Sequence, residues 1–325
     1  MLYYPETDIA LIAQAEGKGV FNIANDYHSL ITADLLKTIS DAGAGTLSAP
    51  IKTDINTLRA YNWTSGDIVI SEIGCYALED QSKNDITLLE VINRGGDVKV
   101  NTHFGRIFVG LVDAEDFDVT LHSHQAGIAD LEYKLGIEDT IDIIAKNLYI
   151  NAADGPAHPI GYIGIGSPNP DNPLETYAIE TRVSTMSLIN QGGGDIYVIN
   201  EGDLLLTHAS HGVIGGTLNV FTDGHMTVNH AQTQCGHINL IAEDGLTIAG
   251  NIKSTGGDIF LDADFSMDGA KEHYTEAASF IQLAGSGAIE SNGGEIGIYG
   301  SGVKVTNVRG STVMIDSDYN DIIVG

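Results

Sequence analysis

Apolar and polar residues alternate in short runs along the C-terminal half of the chain, and each run follows a Gly-Gly or Cys-Gly pair. The pairs begin at residues 193, 215, 235, 256 and 293. Alternation with a period of two predicts a strand with one buried face, and glycines before it suit a tight corner because they tolerate positive φ. The first apolar residues, taken together with one at position 281 that fits the same period, are Ile196, Leu218, Ile238, Ile259 and Ile281. Their spacings of 22, 20, 21 and 22 residues indicate a repeat protein.

Each period contains a second apolar strand, at residues 204–206, 226–228 and 246–248. A third segment is repeated at a spacing of 37, where residues 252–259 match residues 289–296. Two or three strands in about 21 residues leave no room for a helix. The sequence therefore predicts an all-β parallel β-helix, a solenoid in which each turn of about 21 residues pairs with the turns above and below.

The N-terminal half is related to the C-terminal half at an offset of 128 residues. Residues 51–58 align with 179–186, Gly66 to Ile68 align with Gly194 to Ile196, and Gly74 aligns with Gly202. We expect a duplicated block, with residues 1–172 an irregular β-helical part carrying loop insertions, and residues 173–325 regular coils of the same continuous solenoid. Residues 29–40 could form either a short amphipathic helix or a loop that decorates the coil.

The net charge of −29 argues against nucleic acid as a partner and against binding to anionic membranes. No apolar run reaches the length of a membrane span. The chain starts without a basic, apolar signal peptide, as expected for a segment of a longer protein. Cys75 and Cys235 are separated by about seven coils, roughly 35 Å, which is too far for a disulfide.

Four residues are candidate metal ligands. His208 and His230 should lie one above the other on adjacent coils, although a solvated stack on the outer face is the simpler interpretation. Asp258 belongs to a set of acids that precede the first strand of a coil. The members of this set are Asp67, Asp97, Asp195, Asp258 and Glu295. Such a ladder could bind calcium, but capping of the corner by hydrogen bonds from backbone N–H groups is favoured. Asp321 lies in a segment with a faint likeness to calcium-binding nonapeptide repeats. His122 and His124 form another pair on one strand.

No set of nucleophile, base and orienting residue can be assembled, so we predict no catalytic residues, no enzyme activity and no cofactor beyond a weak possibility of calcium. Acid pairs at residues 262–264 and 113–116 are expected by chance in so acidic a chain. The arginines that a catalytic groove would need are scattered.

Three segments, residues 236–242, 245–250 and 256–263, resemble the repeats of filamentous-haemagglutinin-like exoproteins, and residues 173–196 are similar to repeats of giant bacterial exoproteins. The resemblance implies a right-handed β-helical shaft, located outside the cell or on the bacterial surface as part of a longer exported chain. The expected function is a non-enzymatic structural shaft segment of an adhesin. Its partners would be a host-cell, matrix or glycan receptor, or neighbouring copies of itself, without membrane insertion. The alternatives are a carbohydrate-active or glycan-binding β-helix and a filament-forming extracellular subunit.

Overall fold

A computed structural model of the chain describes residues 8–13, 17–21, 30–74, 84–131, 140–152, 164–168, 176–263, 280–283, 287–300, 302–317 and 322–324. The protein is all-β, with a large sheet whose strands pair in parallel and a separate antiparallel pair, β12 and β13. The chain divides into two compact units, residues 1–179 and 180–325. No helix long and apolar enough to cross a membrane occurs among the described residues.

The described strands of unit 1 are β1 (Asp8–Ala13), β2 (Ile31–Ser40), β3 (Ile51–Asn62), β4 (Ile68–Glu72), β5 (Ile86–Asn93), β6 (Val98–Thr102), β7 (Ile107–Val109), β8 (Val112–Asp113), β9 (Asp118–Ser123), β10 (Ile128–Asp130), β11 (Ile143–Ala152), β12 (Ser167–Pro168) and β13 (Thr176–Tyr177). The prediction of a helix or a decorating loop at residues 29–40 is wrong for residues 31–40. The segment is strand β2, because its residues pair in parallel with both β1 and β3 and its inward positions, such as Leu36, are buried by them.

Hydrogen bonding closes seven strands of unit 1 into a ring, as in a barrel. The ring runs β3, β4, β6, β9, β11, β8, β5 and back to β3. The all-β fold and the parallel pairing within the large sheet are confirmed, whereas the right-handed coil remains a prediction at this point.

The described strands of unit 2 are β14 (Ile179–Asn190), which begins at the unit boundary, β15 (Ile196–Asn200), β16 (Leu204–Ile214), β17 (Leu218–Thr222), β18 (Met226–Gln234), β19 (Ile238–Ala242), β20 (Leu246–Ser254), β21 (Ile259–Asp262), β22 (Phe280–Leu283), β23 (Ile289–Ser291), β24 (Glu295–Gly300), β25 (Gly302–Val305), β26 (Val308–Arg309), β27 (Thr312–Ser317) and β28 (Ile322–Val324). Strands β15, β17, β19, β21, β24 and β27 pair in that order, and we name them the first ladder. Strands β14, β16, β18 and β20 form the second ladder.

The predicted period is confirmed for most of the first ladder. Ile238 pairs with Ile259, both side chains are buried, and Phe260 between the buried Ile259 and Leu261 faces outward. The assignment of Ile281 is wrong. It pairs with Leu246 on the second ladder, while Ile259 pairs with Ile296, 37 residues later. The spacing of 22 matched Ile281 by coincidence, because the Gly-Gly corner that precedes a first-ladder strand lies at residues 293–294.

The duplication is confirmed at the level of strands. β3 and β14 each have 12 residues, and their burial patterns differ at one position. The strands that follow, β4 and β15, have five residues each. The third repeated segment is also confirmed, because Ile252 pairs with Ile289.

Candidate functional site

The aspartates that precede the first-ladder strands, and their equivalents in unit 1, accept hydrogen bonds from the backbone at the start of the next strand of the same ladder. Asp195 Oδ1 accepts from Thr217 N at 2.7 Å, and Asp258 Oδ1 accepts from Glu295 N at 2.8 Å. In unit 1, Asp67 Oδ1 accepts from Asp97 N at 3.0 Å. A carboxylate stabilises a corner by satisfying an N–H group that would otherwise lack a partner. Capping, the interpretation favoured from the sequence, is confirmed for the four aspartates of the set.

A second column, which the sequence analysis missed, consists of buried polar residues at or near the end of the strand before each Gly-Gly or Cys-Gly corner. In unit 2 these residues are Asn190, His211, Thr233, Ser254 and Ser291. Ser254 Oγ donates to Gly236 O at 2.9 Å and accepts from Gly257 N at 2.8 Å, and Ser291 Oγ repeats both contacts one turn later. The sequence does contain a pattern that indicates these residues, because a small polar residue stands three positions before the second glycine of several pairs. We name this set the inner polar column.

The two glycines of a corner are needed for different reasons. The first has positive φ in two pairs, at Gly215 (94°) and Gly293 (121°), and Cys235 takes the same region at 57°. At the second position, φ is not positive, but a Cβ on Gly236, Gly257 or Gly294 would overlap the carbonyl of the equivalent glycine on the previous turn. Positive φ alone, the reason given by the sequence, therefore explains only part of the repeat.

The three candidate metal ligands that the structure describes, His208, His230 and Asp258, do not form a common group. The rings of His208 and His230 stack with centroids 4.9 Å apart and planes 15° apart, which confirms the predicted superposition. Nitrogen lone pairs lie in the ring planes, so two parallel rings do not aim them at one point between them. Asp258 Oδ2 instead lies 3.3 Å from His237 Nδ1, and Asp321 lies outside the described residues.

Three further imidazoles cluster in unit 1. The ring centroids of His103 and His124 are 5.4 Å apart, and those of His122 and His124 are 4.1 Å apart. Burial, followed by the neighbouring His124 and His122, lowers the pKa of His103. Across the part of the chain that the structure describes, no three His, Cys, Asp or Glu residues are grouped so that they could hold a metal ion.

Two arginines of unit 1 are paired with acids, of which Asp113 is buried and Asp85 is half-buried. Arg94 binds Asp113 through two hydrogen bonds of 2.6 and 2.7 Å, and Arg106 binds Asp85 through bonds of 3.1 and 2.6 Å. Asp113 was one of the acids that could have belonged to a catalytic pair, and its charge is balanced by Arg94. In the other pair, Asp262 lies on β21 and Asp264 falls outside the described residues.

The outward face of the first ladder carries two pairs of aromatic rings. Tyr197 and Phe221 stack with centroids 5.6 Å apart, and Phe260 and Tyr299 lie 5.1 Å apart. Between the pairs, Asn239 Nδ2 donates to Asn219 Oδ1 at 2.7 Å. Aromatic faces beside amide groups can bind flat, hydroxyl-rich ligands.

One of the differences between the duplicated corners is a buried acid. At the end of β4, Glu72 has 1 % of its surface exposed, and at the equivalent position of unit 2 stands Asn200, which is fully buried. Both accept hydrogen bonds from an equivalent threonine, Thr53 or Thr181. A carboxyl group therefore occupies a place that an uncharged amide fills in the second copy.

A search of protein-family models, of curated proteins and of solved structures finds no match to the chain.

Proposed function

We propose that each unit is a right-handed parallel β-helix and that the seven-strand ring is a consequence of strands that bend around a corner. Residues Thr53 to Asn62 of β3 pair with β2 on one edge, so β4 and β5 must both lie on the other edge. β4 pairs with residues 51–53 and β5 with residues 57–62. In a barrel, the two neighbours of a strand lie on opposite edges. Two partners on one edge, at opposite ends of the strand, instead favour a coil whose next turn contains both.

The function that we propose is a non-enzymatic structural shaft segment of a large bacterial surface or secreted adhesin-like exoprotein. The observation that carries this proposal is the use of the recurring polar residues. The acids cap the next turn, and the inner polar column binds the glycine corners. A repeat whose polar groups form hydrogen bonds between adjacent turns is typical of a structural scaffold. The proposed setting is extracellular, and the proposed partners are a host-cell, matrix or glycan receptor, or neighbouring copies.

Removal of one turn tests the shaft. Deleting residues 236–256 removes 21 residues and joins Cys235 to Gly257, which brings Leu218 into register with Ile259. We expect a folded protein with a cooperative melting transition, because a solenoid depends on contacts between neighbouring turns. The matched control deletes residues 236–246, about half a turn, and should not fold. Equal damage from both deletions would contradict a modular shaft.

The non-enzymatic part of the proposal has its own test. Incubation with a panel of neutral and acidic polysaccharides should release no reducing ends. Release that is lost in an Asp113→Asn variant would show that the chain is a carbohydrate-active enzyme.

A second candidate, glycan binding, is favoured by the aromatic pairs on the outward face of the first ladder. Affinity electrophoresis through gels that contain neutral polysaccharides would detect it as retarded migration. The double variant Phe260→Ala/Tyr299→Ala should abolish the retardation, whereas Thr227→Ala, on the outward face of the second ladder, should not. Migration unaffected by every polysaccharide would remove this candidate.

A further inference from the structure

The buried carboxyl of Glu72 joins strand β3 to the corner after β4. Thr53 Oγ1 donates to Glu72 Oε2 at 2.6 Å, Ile55 N donates to the same oxygen at 3.3 Å, and Gly74 N donates to Oε1 at 3.3 Å. Thr53 and Ile55 belong to β3, and Gly74 has a φ of 61° at the corner after β4. The side chain therefore holds the start of β3 to this corner from inside the unit.

Unit 2 shows what this position requires. Asn200 Oδ1 accepts from Thr181 Oγ1 and from Val183 N, each at 3.0 Å, as Glu72 accepts from Thr53 and Ile55. Its Nδ2 donates to Gly202 O at 3.0 Å. In unit 2, the position therefore uses an uncharged group that both accepts and donates, whereas the described contacts of Glu72 in unit 1 are all accepted by its carboxyl oxygens. A protonated carboxyl group meets both conditions, whereas a carboxylate cannot donate.

The charges around Glu72 favour the protonated form. Burial raises the pKa of Glu72 to about 8, the negative charge of Asp54 adds to the increase, and the bonds from Thr53, Ile55 and Gly74 reduce it. Asp54 is the charged group of β3 that acts on Glu72. The residues that pair with Glu72 in the neighbouring turns, Thr53 and Thr102, are uncharged. None of the described cationic groups contributes to the shift.

We propose that Glu72 is a proton-dependent latch, which holds β3 to the corner after β4 while it is protonated and releases that corner when it loses its proton. When the carboxyl carries a proton, the Thr53 hydroxyl can rotate and accept it. Loss of the proton leaves a buried carboxylate that none of the described cationic groups compensates, which is relieved by turning the side chain into water. The corner then loses the bonds to Ile55 N and Gly74 N.

The sign of the pH dependence follows from linkage. The pKa of Glu72 in the folded protein, about 8, lies above the ordinary value of 4.5. The stabilisation by the latch is therefore complete below about pH 4.5 and is lost as the pH rises through about 8. Opening releases one proton, so the equilibrium constant for local opening should rise about tenfold per pH unit in this window.

Hydrogen exchange at the amides of Ile55 and Gly74 tests the latch, after correction for the intrinsic pH dependence of exchange. In the wild-type chain, we expect the opening constant to rise about a hundredfold from pH 5 to pH 7. Glu72→Gln, which keeps the shape and supplies a donor, should remove this dependence. Asn200→Glu is the matched variant of the second copy and should transfer the dependence to the amide of Val183.

A direct titration does not depend on how any variant folds. The side-chain carboxyl carbon of Glu72, followed by NMR in the wild-type protein, should titrate well above the range of the other glutamates. Titration below pH 5, or opening constants at Ile55 that do not change between pH 5 and pH 7, would overturn the proposal. Persistence of the pH dependence in a folded Glu72→Gln protein would also overturn it.

Discussion

Replacing the second glycine of a corner with alanine tests why the Gly-Gly pair recurs. In Gly257→Ala, the new Cβ would lie 2.8 Å from His237 N and closer still to the carbonyl group of Gly236, whereas Cβ atoms in proteins keep at least 3.0 Å from such neighbours. The obstacle is backbone of the adjacent turn, so no side-chain rotation can relieve it. The two turns would have to separate by well over half an ångström.

Separation of the turns would affect the bonds that join them at this corner. Ile238 N donates to Asp258 O at 2.9 Å, and Ser254 Oγ donates to Gly236 O at 2.9 Å. Loss of two such bonds costs about 2 kcal/mol, and crowding in a packed site adds about 1–3 kcal/mol. We expect Gly257→Ala to lower the free energy of unfolding by about 3–5 kcal/mol, a large share of the stability of an ordinary domain.

Two other glycines provide matched controls in the same unit. Gly193 is exposed, has no positive φ and has open space around its Cα, so Gly193→Ala should be neutral or stabilise by about 0.4–1 kcal/mol. Gly293 has open space but a φ of 121°, so Gly293→Ala should cost about 1–3 kcal/mol through backbone strain alone. Urea unfolding of the three variants, followed by far-ultraviolet circular dichroism, gives the comparison.

The order of the three costs is the decisive result. If Gly257→Ala were as harmless as Gly193→Ala, then the turns would not approach as closely as the stacked corners require. If Gly293→Ala were the most damaging, positive φ would explain the repeat, and close packing of the turns would not.

Three further changes test other parts of the structure. Ile259→Asp should lower the free energy of unfolding by several kcal/mol because it buries an unpaired carboxylate between Ile238 and Ile296. Phe260→Asp should lower it by no more than about 1 kcal/mol. Hydrogen exchange that is equally disturbed in both variants would mean that the strand register is wrong. Burial and the neighbouring His230 lower the pKa of His208 below 6.5. The stability from this pair is therefore present above pH 6.5 and is lost as the pH falls through the lowered value. The variant His230→Asn, which copies the residue at the equivalent position, Asn251, should reduce this loss of stability at acid pH in melting curves, and an unchanged loss would contradict the prediction. Cys235→Gly should stabilise unit 2 by about 1 kcal/mol because Cys235 has a φ of 57°, which glycine adopts without strain. A lower melting temperature in the variant would show that the side chain of Cys235 stabilises unit 2 by more than its backbone strain costs.

The parts of the fold that depend on alternation could be predicted from the sequence. Ile259 and Leu261 face inward and Phe260 faces outward because a strand has a period of two, and no distant residue changes that. The pairing of Ile281 could not be predicted by counting, since the interval from Ile259 to its partner Ile296 is 37 residues instead of about 21. Pairing depends on hydrogen bonds to the adjacent turn, which spacing alone does not reveal.

The features of the candidate site, too, could be predicted from the sequence only in part. The stacking of His208 on His230 follows from aligned apolar residues, and so do the acid caps. The burial of Glu72 did not follow, because its position within the alternation is the same as that of an ordinary strand end. Its significance depends on the threonine and the amides that meet it, and on the comparison with Asn200.

The acid caps also give the protein a direction of growth. Before the first ladder, the carboxylate belongs to the earlier turn and the N–H group to the later one, as at Asp195 with Thr217 and at Asp258 with Glu295. Chains are made from the N-terminus, so each finished turn already presents an acceptor when its successor emerges. In the proposed β-helix, the completed end would therefore act as a template for the next turn. Such a chain would fold progressively as it is made, without waiting for its remaining residues.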